Sequence, residues 1–347
     1  MKFGPVPVAE SLGGIVAHAV RRGGLVLKKG EKIDEARRAA LREAGIAEIV
    51  VARLEPGDVG EDEAAARLAA PLSGRNIRAE LPFTGRCNLF AEAAGVLLFD
   101  VAALDNLNLI DERVTVATLP AFRDVVAGEM VATVKIIPFA APGDIVMRAE
   151  AQSGAVGLRV APYAPFRVGV VSTVLPGLKD SVIDKTLRVL ADRLEPTGAR
   201  VAADIRVAHE TSALSAALTR LSPDCDLIIV FGASAITDRR DVIPAALVAA
   251  GGRIEQFGMP VDPGNLLLLG EFGEGASAKK VLGAPGCARS PKENGFDWVL
   301  RRLLAGVPTT AADIRRMGAG GLLMEIVSRG QLRGGAPGNE HGAGDHD

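Results

Sequence analysis

The stretch Asp226-Leu-Ile-Ile-Val-Phe-Gly-Ala-Ser-Ala-Ile-Thr-Asp-Arg-Arg-Asp241 decides the fold class. An apolar, β-branched run bounded by a charge and a glycine predicts a strand buried on both faces. Gly232-Ala233-Ser234-Ala235 is too small in side chain to fill a core. It reads as a turn whose backbone N–H groups stay open to an anionic ligand. Asp241 then opens a helix that runs to Ala250, with Val242, Ala245, Ala246, Val248 and Ala249 as its apolar positions and Gly251-Gly252 as its stop. In a doubly wound sheet, ligands collect where a strand's carboxyl end meets such a turn. Every βα unit needs a tight turn, however, so the flanking sequence has to decide between a ligand site and a plain connection.

On both sides of this stretch strand alternates with helix. Arg167–Ser172, Val201–Val207 and Leu227–Phe231 read as strands, separated by helices over Ser181–Leu194 and Ser212–Leu221. Arg253–Phe257, Asn265–Leu269 and Lys279–Leu282 extend the sheet, and Asn294–Ala305 is a helix that carries Trp298. Strands joined by helices of this length predict an α/β domain built on a mostly parallel, doubly wound sheet. Ala161-Pro-Tyr-Ala-Pro-Phe166 forbids a helix and suits a short stiff linker, so the α/β domain is expected over 166–310 and a smaller N-terminal α+β domain over 1–160. A C-terminal extension over 311–328 holds a helix at Thr309–Arg316 and an edge strand at Leu322–Val327. From Arg329 on, Gly-rich acidic sequence cannot offset its ordering entropy, which predicts a disordered tail over 329–347.

The N-terminal half offers shorter elements. Asp34–Ala44 reads as a helix capped by Asp34 and stopped by Gly45, Ile46–Val51 as a strand, and Glu61–Leu72 as a helix with Ala64, Leu68 and Leu72 on one face. Phe83–Glu92 is expected to be a polar loop leading into a helix, with Thr84, Arg86 and Asn88 facing a phosphate or an amide edge, or simply capping that helix. Met130–Pro138 alternates as a strand, and Ala140–Asp144 is a turn.

Composition bounds the partners. Across 347 residues, 40 basic and 42 acidic side chains give a formal charge of −2, so there is no global basic field for nucleic acid or an anionic membrane. The longest apolar runs fall far short of the ~20 residues of a membrane helix. Cys87, Cys225 and Cys287 form no CxxC pair, which favours reduced thiols and a cytoplasmic location. The expected partner is a small molecule.

Gly232 to Leu247, with Arg239-Arg240-Asp241-Val242 and Pro244-Ala245, resembles the Gly-Gly-Thr-Gly…Arg-Asp-Val…Pro…Ala signature of the molybdopterin-binding proteins of molybdenum-cofactor biosynthesis. Three further loops carry the same resemblance. Ser172-Thr-Val-Leu-Pro-Gly177-Leu-Lys-Asp180-Ser181 is similar to the family's first βα turn, Gly258-Met-Pro-Val-Asp-Pro263-Gly264 to its Pro-Gly-x-Pro loop, and Gly283-Ala-Pro285-Gly286-Cys-Ala-Arg289-Ser290-Pro-Lys292 to its Leu-Pro-Gly-Asn-Pro loop. The resemblance implies a ligand lining of Ser172, Gly177, Asp180, Ser181, Gly232, Ala233, Ser234, Pro263, Gly264, Pro285, Gly286, Arg289 and Ser290. A helix cap alone accounts for Asp180 or Ser181 equally well. Cys287, beside these cations, reads as an inert buried thiol.

Three departures from the family's pattern stand out. Ala208-His209-Glu210 occupies the slot where the family carries an aspartate, Ala233 and Ala235 add methyl groups to the glycine turn, and the insertases' Ser-Ala-Met-Asp-Gly-Tyr-Ala segment is missing after "GLVLKKGEKID…ALREAGIAEIVVARL". A different alternative, a Rossmann cofactor domain, lacks a GxGxxG after any strand.

The resemblance implies molybdopterin as the ligand and a role in assembling the molybdenum cofactor. As a carrier the protein would bind the pterin phosphate at the ends of the parallel strands and hand the cofactor to a separate cytidylyltransferase or a molybdoenzyme. As an enzyme, a molybdenumtransferase or nucleotidyltransferase, it would use Asp241 as the metal ligand with Asp184 or Glu210 beside it, holding Mg²⁺ against substrate phosphates. Family resemblance and the apolar run Leu266–Leu269 add an expectation of homo-oligomers.

Overall fold

The computed structural model of the protein describes residues 1–273, 275 and 278–323. The expected tail over 329–347 and residues 324–327 of the expected edge strand lie outside them. Two compact units make up the chain. One comprises Met1–Pro165, Pro196–Gly198 and Arg301–Pro308; the other comprises Phe166–Glu195, Ala199–Leu300 and Thr309–Asp347. Among the described residues no helix is long and apolar enough to cross a membrane.

In the second unit a six-stranded sheet is built from β1 (Arg167–Val174), β2 (Arg200–Ala208), β3 (Leu227–Phe231), β4 (Arg253–Phe257), β5 (Leu268–Phe272) and β6 (Lys279–Ala284), in the order β2-β1-β3-β6-β5-β4. The first three pairings in that order are parallel. The last two are antiparallel, because among the described residues the connections β4 to β5 and β5 to β6 hold no α-helix to carry the chain back across the sheet. All five residues of β3 are buried, as a central strand covered on both faces requires. The helices are α1 (Asp180–Leu194), α2 (Thr211–Leu221), α3 (Val242–Ala249) and α4 (Gly295–Leu304).

Right-handed crossovers place α1, which leads outward from β1 to β2, on one face, and α2 and α3, which lead the other way, on the opposite face. The packing agrees. Leu214, Leu218 and Leu221 of α2 and Ile243, Ala246 and Leu247 of α3 share a core with Val171, Ile228 and Val230. On the other face Phe231 meets Phe296 of α4, ring centroids 6.4 Å apart.

Two expectations for this unit need correction. In α3 the buried residues are Ile243, Pro244, Ala246 and Leu247, whereas Val248 is 56% exposed. The helix is apolar nearly all round, so periodicity could not fix its inner face. Asn265 and Leu266 lie in a turn, the strand begins at Leu268, and Leu267, Leu268 and Leu269 are fully buried. Three of the four residues are core and Leu266 alone is exposed, at 40%, so the run no longer motivates self-association.

The first unit is α+β. Its largest core lies between an antiparallel sheet, ordered Val114–Thr118, Met130–Ile136, Arg86–Ala91 and Ile77–Ala79, and the helices Glu61–Leu72 and Gly143–Val156. Phe83–Glu92 is therefore not a loop before a helix. Cys87, Leu89 and Ala91 face inward while Arg86, Asn88 and Phe90 alternate with them, the period of a strand. Thr84 and Gly85 form the preceding tight turn, and Arg86 and Asn88 bond to Thr133 across the strands. The helix Gly143–Val156 replaces the expected turn at Ala140–Asp144. Its inner residues Ile145, Val146, Ala149, Ser153 and Val156 keep helical spacing, but only their neighbours in space make that stripe apolar enough to recognise. Lys2–Pro7 is an additional edge strand, where proline is tolerated because one side needs no donor.

One buried ion pair ties α1 to α4. Arg193 meets Asp297 at 2.6 Å, with side chains 9% and 6% exposed, and its guanidinium also donates to the carbonyls of Ala288 and Ser290. Asp297→Ala would leave that guanidinium buried without a counter-charge, an expected loss of about 3–5 kcal/mol. The double change Arg193→Met with Asp297→Leu should lose less. Urea unfolding followed by fluorescence of Trp298, the single tryptophan, reads both.

Candidate functional site

The carboxyl ends of the parallel strands form one edge. Ser172 of β1 is paired with Phe231 of β3, which is paired with Ala284 of β6, and Val174 is paired with Ala208 of β2. The turns that leave these strand ends shape the site. After β3 the chain folds through Gly232, where a side chain would meet Ile243 and the Ser234 carbonyl, each at 2.8 Å. Ala233 donates its N–H to Thr173 Oγ1 at 2.8 Å. The next three N–H groups, of Ser234, Ala235 and Ile236, find no acceptor among the described residues. Consecutive free N–H groups of this kind form a concavity for an anion.

Arg289 reaches the same turn from the short helical turn Gly286–Arg289 that comes after β6. Its Nη2 donates to the Gly232 carbonyl at 2.7 Å and its Nη1 to Thr186 Oγ1 at 3.1 Å, and its guanidinium lies over the Phe231 ring, 5.5 Å from the centroid. Among the described residues no carboxylate pairs with it. Burial pulls its pKa below the usual guanidinium value, the mark of a cation stripped of water without a compensating charge. Ser172 is 2% exposed, and its Oγ has no hydrogen-bond partner among the described residues. Registered neighbours in a sheet point the same way, so Ser172 faces the side of Phe231 over which Arg289 lies. A buried hydroxyl without a partner is rare, and here it faces the side of the sheet that carries an unpaired cation.

The other predicted residues divide between sites of structure and open loops. Gly177 forms the turn after β1 with φ +87°. Lys179, and not Asp180 or Ser181, holds the cap position of α1, with no side-chain cap bond. Asp180 and Asp184 instead bond Arg206 of β2 at 2.8 and 2.6 Å. Pro263 follows a cis peptide, and Gly264, at φ +140°, packs so closely on the start of α4 that a side chain would lie 2.8 Å from Gly295 Cα. Pro285 and Gly286 start the turn that delivers Arg289, whereas the Ser290 hydroxyl accepts from the Lys292 N–H at 3.3 Å within the loop. Burial raises the Cys287 thiol, in keeping with an inert group.

Asp241 does not cap its own helix by its side chain. Its Oδ2 turns back to accept the N–H groups of Thr237 and Asp238, at 2.5 and 2.9 Å, so it ties down the loop after the anion turn. Among the described residues nothing bonds its Oδ1 or the carboxylate of Glu210. Asp184 is paired with Arg206 on α1's face of the sheet while Asp241 opens α3 on the other, so the structure does not bring the two together. Among the described residues no three His, Cys, Asp or Glu side chains gather where they could hold a metal.

His209 joins a hydrogen-bonded chain: its Nδ1 is 2.8 Å from Thr173 Oγ1 and its Nε2 is 2.9 Å from Ser234 Oγ. Thr173 and Thr186 are the polar groups that sequence reasoning passed over. Thr186 carried a signal, as a polar residue on the otherwise apolar inner stripe of Ile183 and Leu190; Thr173 carried none beyond its place at a strand end.

Residues 169–306 match the family described as "Probable molybdopterin binding domain". No curated protein matches the chain in sequence. Similar solved structures include a molybdopterin biosynthesis MoeA protein of Pyrococcus horikoshii, at 15% identity over 88% of this chain and 75% of that one with a TM-score of 0.30. Another is a molybdenum cofactor biosynthesis protein of Pyrococcus furiosus, at 12% identity over 88% of this chain and 64% of that one with a TM-score of 0.26. Scores this low leave the family match over 169–306 as the comparison with weight. That segment is similar to the family so described.

The donated N–H groups of Thr237 and Asp238 hold the Asp241 carboxyl below its ordinary value. A depressed pKa stabilises the folded loop above the unfolded pKa, near 4, and that contribution is lost as pH falls through the folded value. A ¹³C titration of the Asp241 carboxyl should show a midpoint below that of a free aspartate. In Asp241→Ala the Thr237 and Asp238 amides should exchange hydrogen faster at neutral pH, and a midpoint at or above the ordinary value would contradict the arrangement.

Proposed function

We propose that the second unit binds molybdopterin at the carboxyl ends of β1, β3 and β6, with the pterin phosphate seated between Arg289 and the free N–H groups of Ser234, Ala235 and Ile236, and that the protein serves molybdenum-cofactor biosynthesis. The observation that carries the reading is the half-buried Arg289 guanidinium, unpaired with any described carboxylate and bonded at 2.7 Å to the carbonyl of the anion turn itself. A phosphate accepts from a planar guanidinium in two parallel bonds and from backbone N–H groups at the same time, and it supplies the charge that Arg289 lacks. Ser172 Oγ gives one further donor on Arg289's side of the sheet.

Binding without chemistry is the form of this reading that the site supports best. Of the carboxylates expected to hold Mg²⁺, Asp184 is ion-paired with Arg206, which it shares with Asp180, and Asp241 has one oxygen engaged by loop N–H groups. Asp241 Oδ1 is the oxygen left to bind a metal, and it would need ligand phosphates to complete a Mg²⁺ shell. We place the carrier in the cytoplasm, passing its cofactor to a cytidylyltransferase or a molybdoenzyme.

Calorimetric titration of molybdopterin tests the assignment. Arg289→Met should weaken binding by about 10- to 100-fold, the value of a charge-assisted hydrogen bond to phosphate, while Arg289→Lys recovers part of it. Asp241→Asn should leave affinity unchanged or raise it, with no dependence on Mg²⁺. Binding that requires Mg²⁺ and is lost in Asp241→Asn would favour the enzyme, and no binding by the unmodified protein would refute the assignment.

A further inference from the structure

The chain Thr173–His209–Ser234 ends at the open turn. Thr173 Oγ1 is the fixed point. The residue is 1% exposed, and its hydroxyl has two neighbours, the Ala233 N–H at 2.8 Å and His209 Nδ1 at 2.8 Å. An amide N–H can only donate, so Thr173 accepts there. If His209 also donated through Nδ1, the Thr173 hydrogen would be buried with no acceptor, the costly arrangement for a polar group out of water. Thr173 therefore donates to Nδ1, and neutral His209 carries its proton on Nε2. Nε2–H in turn donates to Ser234 Oγ at 2.9 Å. Ser234 is exposed, its oxygen has accepted, and its own hydrogen is left for a ligand.

We propose that Thr173 and His209 are positioning residues that fix the direction of this chain, so that Ser234 presents its hydroxyl as a donor to an oxyanion, phosphoryl or pyrophosphoryl, held at the N–H groups of Ser234, Ala235 and Ile236. Each bond in a chain of this sense polarises the next, which strengthens the final donor. The same direction withholds the Nε2 lone pair, so His209 does not act as a base toward Ser234. The Ser234 hydroxyl and the three free N–H groups then all donate, and the site selects ligand atoms that only accept. This inference rests on the turn as an anion site and not on the pterin.

The test uses the full-length protein with inorganic pyrophosphate as the probe. In ligand-free, ¹⁵N-labelled protein, long-range proton–nitrogen correlation should find His209 protonated at Nε2 and bare at Nδ1. Calorimetry should then show pyrophosphate affinity reduced about tenfold in Ser234→Ala, as for one hydrogen bond to a charged group, and similarly in His209→Ala. The double variant should lose no more than either single one, since the two act through one donor. Thr173→Val should match His209→Ala, while Thr173→Ser, which keeps the hydroxyl, should restore affinity to within about twofold. Should Thr173→Val fail to fold, the tautomer and the Ser234/His209 cycle decide alone. A proton on Nδ1, additive losses in the double variant, or unmodified protein that binds no pyrophosphate would each overturn the proposal. Pyrophosphate binding without molybdopterin binding would leave it standing and remove the pterin assignment.

Discussion

An arginine that no described carboxylate neutralises governs the chemistry of the second unit. Arg289 is delivered by the turn after β6, sits against the aromatic face of Phe231, and spends its hydrogen bonds on a hydroxyl and a carbonyl. Neither acceptor neutralises it. A desolvated cation in this state favours any anion that can reach it, and the adjacent turn offers unpaired N–H groups to the same anion. Much of the unit's architecture serves to keep that guanidinium in place. The buried Arg193–Asp297 pair clamps the loop 286–292 through the Ala288 and Ser290 carbonyls, and Gly232 lets the turn pass tightly over Ile243.

The edge of the sheet thus separates two kinds of polar group. On the face of α1 and α4 stand Ser172, Thr186 and Arg289; on the face of α2 and α3 stand Thr173, His209, Ser234 and Asp241. The first set supplies charge. The second supplies direction, since the Thr173 hydroxyl sets which nitrogen of His209 is protonated and Asp241 anchors the loop after the turn. The turn Gly232–Ile236 belongs to both, which is why its small side chains matter more than those of an ordinary βα connection.

Much of this was legible in the sequence. Leu227–Phe231 and Glu61–Leu72 announce themselves by continuous and periodic apolar patterns, and the small-residue turn after β3 is visible because no side chain there could fill a core. Local pattern fails where the decisive partner is distant. Asp184 looks like a free carboxylate until Arg206, on a neighbouring strand, is seen to occupy it, and Asp241 looks like a helix cap until its oxygen is found on the preceding loop. The helix Gly143–Val156 and the inner face of α3 escape for the opposite reason. One has too weak an apolar stripe, and the other is apolar on every side, so neither spacing selects a face without the sheet it packs on.

The central claim is that the anion seat lies at three consecutive N–H groups beside Arg289. Its most direct test is the amide spectrum of ¹⁵N-labelled protein as molybdopterin is added. The Ser234, Ala235 and Ile236 amides and the Arg289 guanidinium should shift together along one saturating curve, with the largest changes in the unit. Saturable binding whose shifts cluster elsewhere, with these four groups unmoved, would contradict the account.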